Sequence, residues 1–121
     1  MLLRALNLLL CVAMLAAVAV QYNDPDGPLW MLYYGVPAFW TGLMVWRSQL
    51  PQPPGRWRLA LWASLAFSAG LMIFYWPTMP GFWRKEVWWV EEGAREGMGL
   101  MIAFAVTVVA WLTSRRTGPG A

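Results

Sequence analysis

Four long apolar runs, separated by short polar stretches rich in proline and glycine, decide most of what this chain can become. The runs are Leu2–Val20, Leu29–Trp46, Leu59–Trp76 and Gly97–Leu112. A helix needs roughly 20 apolar residues to cross a ~30 Å hydrocarbon core. Stretches such as Leu8–Ala17 show no alternation of apolar and polar residues. A strand buried on one face needs that alternation, and a membrane barrel needs about eight such strands. Helices are the spanning form in which every backbone group is satisfied within its own segment. The expectation is an all-α membrane protein: one four-transmembrane-helix bundle over 1–114, with helices near 2–20, 29–46, 59–76 and 90–114. A short cytoplasmic tail, 115–121, follows.

Composition supports this. Sixty per cent of the 121 residues are hydrophobic and 12% are charged. Soluble domains carry about 45–50% apolar and 25% charged residues, so a soluble chain this small has too little interior for its apolar side chains. The excess of basic residues does not form a nucleic-acid stripe. Arginines cluster at the ends of the runs, where they set orientation. With the N-terminus inside, Arg4, Arg47, Arg56, Arg58, Arg115 and Arg116 are cytoplasmic, and Arg84, Lys85 and Arg95 lie outside. The bias places both termini in the cytoplasm, in the inner membrane if the source is bacterial. Arg4 followed by an apolar stretch and Ala17-Val18-Ala19 also resembles a signal peptide. The stretch is long for one, so an uncleaved first helix is expected.

In this orientation all six carboxylates, Asp24, Asp26, Glu86, Glu91, Glu92 and Glu96, share the outer face. Two segments concentrate them. The first connection reads Gln21-Tyr22-Asn23-Asp24-Pro25-Asp26-Gly27-Pro28. Turn formation and N-capping account for much of it. Asn23, Asp24 and Asp26 also offer oxygens to a cation or a polar ligand. The second segment is Glu91-Glu92-Gly93-Ala94-Arg95-Glu96-Gly97. On one continuous helix Arg95 pairs with Glu91 and Glu92, while Glu92 and Glu96 share a face. Gly93 and Gly97 form a small-xxx-small pair that admits a neighbouring helix. Seven of the ten tryptophans, Trp30, Trp88 and Trp89 among them, fall at or near run ends, as headgroup-level indoles do.

The N-D-P-D turn, with Trp30 and Tyr33 after it, and the later E-E-G-A-R-E-G-M-G-L stretch resemble the signature segments of the transmembrane protein 220 family. The matching positions are Asn23, Asp24, Pro25 and Asp26, then Glu91, Glu92, Arg95, Glu96, Gly99 and Leu100. The resemblance implies a multi-pass membrane protein and carries no assigned activity.

Three roles follow as expectations. The first is a binding or accessory protein whose Asn23, Asp24, Asp26, Glu91, Glu92, Arg95 and Glu96 form one polar site at the outer face. Asp24, Asp26, Glu92 and Glu96 are the candidate ligands if that site takes a Ca²⁺ or Mg²⁺ ion. The second is an interaction subunit that packs against a membrane-protein partner or a second copy. The third, an intramembrane enzyme working through a carboxylate pair, is disfavoured: the chain has no histidine and no nucleophile paired with a base. No catalytic residue, resident cofactor or nucleic-acid partner is expected, and the bilayer is the surrounding partner.

Overall fold

A computed structural model describes residues 2–22, 25–47 and 55–116. Those residues form five helices: α1 (Leu2–Ala19), α2 (Gly27–Arg47), α3 (Gly55–Phe74), α4 (Lys85–Val90) and α5 (Glu92–Arg116). Among the described residues there is no strand. Each apolar run holds a long helix. α4 was not anticipated, because its six residues, Lys85–Val90, sit in what reads as a loop.

Three helices carry stretches long and apolar enough to cross a membrane: Leu2–Ala19, Arg56–Phe74 and Glu92–Ser114. α2 has the length, at 21 residues, but Trp30, Trp40, Tyr33, Tyr34, Gly35 and Pro37 dilute its hydropathy. Its position explains the composition. α2 packs along α1 and α5, so several of its side chains meet protein and not the surroundings. Trp30, Tyr33, Tyr34, Ala38, Trp40 and Met44 are all buried.

The packing is not the square of a simple up-and-down bundle. In that square the second and fourth long helices are diagonal and the first and fourth adjoin. Here α2 lies against α5, α1 touches α5 far less, and α3 packs on α5 while barely meeting α2. α2 and α5 form the centre, with α1 and α3 on their flanks.

Two clusters fill this centre. Met14, Trp30, Tyr33, Tyr34, Ala38, Leu100, Ala103 and Val106 join α1, α2 and α5. Trp40, Met44, Leu61 and Ala110 bring in α3. Polar side chains tie the same helices. Asn7 is fully buried, and its Nδ2 donates to Thr113 Oγ1 at 2.8 Å and to the Leu3 carbonyl at 2.7 Å. Trp40 Nε1 donates to Ser64 Oγ at 2.8 Å, linking α2 to α3. The Thr41 hydroxyl donates to the carbonyl of Pro37 at 2.8 Å, within the turn that follows the proline.

Candidate functional site

The first polar segment ends where α2 begins. Asp26 stands immediately before the first helical residue, Gly27. Its backbone carbonyl accepts from the Trp30 amide at 3.3 Å, the first intrahelical bond. Its carboxylate accepts from Trp30 Nε1 at 3.0 Å. One aspartate therefore starts the helix and orients a buried indole. Trp30 then meets Tyr33 edge-on at 5.1 Å and Tyr75 at 5.2 Å between ring centroids. That places Trp30 in the core, not in the headgroup belt expected from its place at a run end. Asn23 and Asp24 lie outside the described residues.

The second segment breaks where one continuous helix was expected. Glu91 is the C-cap of α4, with φ −94° and ψ 110°. Its carbonyl accepts from the amides of Ala94 at 3.1 Å and Arg95 at 3.3 Å, so α5 starts from it. The expected pairing of Arg95 with Glu91 and Glu92 is not seen among the described residues. The break separates only Glu91, since Glu92 lies in α5 three residues ahead of Arg95. Arg95 Nη1 instead donates to the carbonyls of Trp88, at 2.8 Å, and Trp89, at 2.9 Å. These lie in the last turn of α4, whose carbonyls lack helical partners. Arg95 clamps α4 to α5.

This clamp gives a prediction. Arg95→Leu strips a charge-assisted partner from two carbonyls and lowers stability by about 1–2 kcal/mol. Arg84→Leu, at an exposed position with no such bond, stays within ~0.5 kcal/mol. Denaturant titration of the two variants in mixed micelles checks this, and equal losses would remove the clamp from the account.

Gly93 and Gly97 admit a neighbour, but not a helix. A Cβ on Gly97 would collide with the Pro77 ring and the Tyr75 carbonyl, in the connection after α3. Gly93 faces only the end of the Met79 side chain. Two turns into α5, a Cβ on Gly99 would collide with the Tyr34 hydroxyl. Glycine at 99 lets that phenol reach the wall of α5.

A cavity of about 330 Å³ is lined by Val20, Gln21, Asp26, Trp30, Tyr34, Glu92, Arg95 and Glu96. Four of the seven expected site residues thus meet: Asp26 from one segment, and Glu92, Arg95 and Glu96 from the other. Glu91 is exposed and does not line the cavity. Asp26 and Arg95 share the cavity, but the bonds described above take them to different partners. Among the described residues no three carboxylates converge closely enough to hold a metal ion. Sequence reasoning missed Tyr34, Gln21 and Val20 as wall residues. Their helical spacing reads as packing, and only the fold places them opposite α5.

The all-helical architecture, its three long apolar helices and a polar cavity at the ends of α1, α2 and α5 define a helical integral membrane protein. The model of the transmembrane family 220 matches residues 9–112, and the chain belongs to that family. No solved structure matches it.

Proposed function

We propose that this protein is a four-span binding or accessory protein of the membrane, and that its cavity is a ligand site at the outer face. The observation that carries the reading is the meeting of Asp26 with Glu92, Arg95 and Glu96, some 70 residues apart in sequence, around one cavity. Capping explains Asp26 alone, and a helix N-terminus explains Glu92 alone. Neither explains a shared polar hollow beside three apolar helices. α2 serves as the fourth span: it is 21 residues long, and its flanks on α1 and α5 relieve it of full lipid exposure. Both termini lie in the cytoplasm, following the arginine bias. The role is read as non-catalytic, because the chain has no histidine and the wall shows no nucleophile with a base positioned beside it.

Orientation has a direct check. In a Cys11→Ser background, Arg84→Cys reacts with an impermeant maleimide added to intact cells, and Arg58→Cys reacts only after permeabilisation. The reverse pattern would invert the topology and put the cavity inside.

A second reading rests on a different feature. An apolar groove of about 350 Å³ runs between α3 and α5, walled by Trp62, Leu65, Ala66, Ala69, Phe104, Val108 and Trp111. Small residues framed by aromatic ones suit a partner helix, as an interaction subunit requires. A second copy or another membrane protein would seat there. Dimer formation in lipid that Ala66→Trp abolishes would favour this reading.

A further inference from the structure

The connection from α3 to α5, with α4 inside it, keeps large apolar side chains on its outside. Trp76 and Trp83 are exposed, Trp89 is 70% exposed and Val90 75%. The segment that carries them is nevertheless seated on α5 near both ends. Pro77 is buried and lies against Gly97. Arg95 Nη1 holds the carbonyls of Trp88 and Trp89. Between those points the rings pack on one another. Trp76 meets Phe82 at 6.3 Å, Phe82 meets Trp83 at 5.2 Å and Trp88 meets Trp89 at 5.7 Å between centroids. A seated segment that still turns its indoles outward offers an apolar surface to something other than its own core.

The spans on either side fix the level of this surface. α3, up to Phe74, and α5, from Glu92, both carry stretches long and apolar enough to cross a membrane. The connection between them therefore starts and ends at the rim of the hydrocarbon. The exposed apolar surface of α3 runs out through Ile73 and Phe74, and Trp76 continues it. Exposed charges stand among the exposed rings, because Arg84, Lys85 and Glu86 lie between Trp83 and Trp89. Hydrocarbon would take the indoles and reject those charges. Bulk water would take the charges and leave the rings unburied. The headgroup layer takes both, since indoles settle there and long basic side chains reach its polar side. Residues 75–91 carry two basic side chains, Arg84 and Lys85, and two acidic ones, Glu86 and Glu91. They balance, so the segment has no net positive charge with which to select anionic lipid.

We infer that the connection between α3 and α5 lies in the headgroup layer of the bilayer, with Trp83, Trp89 and Val90 reaching about 5–10 Å into the boundary between headgroups and acyl chains, the depth of an interfacial helix. The occupant of this surface is lipid and not a second protein. The placement needs α3 and α5 to span, and no ligand in the polar cavity enters it.

The test puts an environment-sensitive fluorophore on Trp89→Cys, and separately on Val90→Cys, in a Cys11→Ser background. The full chain is held in nanodiscs at a single chain per disc. The lipid is phosphatidylcholine, with a nitroxide either at the headgroup or at the methyl end of the acyl chain, and iodide is the quencher from water. Ala63→Cys, exposed midway along α3, is the reference for the hydrocarbon. The expected result is a loss of emission at positions 89 and 90 that comes mainly from the headgroup nitroxide. The loss at position 63 comes mainly from the methyl-end nitroxide, and iodide is the weaker quencher at every position. Quenching at 89 and 90 chiefly by iodide overturns the inference, because the segment then stands in water. Quenching there chiefly from the methyl end overturns it as well, with the segment sunk in hydrocarbon. No quenching at 89 and 90 by lipid or iodide, while 63 responds, means that protein covers the rings and also overturns it. Quenching at 63 chiefly by iodide removes the span on which the placement depends and overturns it at that step.

Discussion

Trp30→Ala lowers the unfolding free energy by about 3–5 kcal/mol, the range for emptying a large aromatic site in a packed core. Trp30 is 3% exposed, and it touches the rings of Tyr33, Tyr34 and Tyr75. In lipid the transfer term is small, because the surroundings are as apolar as the core. The lost dispersion contacts and the vacated volume remain. The substitution also removes the indole donor from the Asp26 carboxylate, so the turn before α2 loses an anchor. Trp89→Ala is the control. That side chain is 70% exposed, and its removal changes stability by no more than ~0.5 kcal/mol. Comparable losses for the two tryptophans would mean that Trp30 is an interfacial anchor and not a core residue.

Gly97→Val comes next in size, at about 3 kcal/mol, the upper part of the range for overpacking. A better helix former at this position gains no more than ~1 kcal/mol in propensity. The collision outweighs that gain, because the obstructing atoms belong to the rigid Pro77 ring and the Tyr75 backbone carbonyl. Gly93→Val meets only the methyl end of Met79, which can swing away. The expected outcome is a large loss at 97 and a small change of either sign at 93, measured on the same micelle-solubilised protein. Matching effects would show that the connection after α3 is not seated on α5.

The long helices were legible in the sequence because uninterrupted apolar runs leave lipid-compatible backbone one solution. The meeting of Asp26, Glu92 and Glu96 around one cavity was also expected from the sequence. Details decided by packing were not. Trp30 stands at a run end, where a belt tryptophan and a buried one look alike; its depth follows from α2 lying against α1 and α5. Arg95 reaches back to the last carbonyls of α4, a partner that exists only because the chain breaks at Glu91 and that no helical spacing announces. Asn7, with Arg4, reads only as an interruption of the first apolar run, yet its partner Thr113 lies 106 residues away. Tyr34 carries no local signal of a site, because its place in the wall depends on Gly99 across the helix interface.

The central claim is that the turn before α2 and the start of α5 form one cavity. Cross-linking tests it most directly, using Asp26→Cys combined with Glu96→Cys in a Cys11→Ser background and a short bis-maleimide. The account predicts an intramolecular cross-link within a single chain, absent from either single variant and blocked when a bulky maleimide is bound first. Full labelling of both cysteines with no intramolecular cross-link would contradict it.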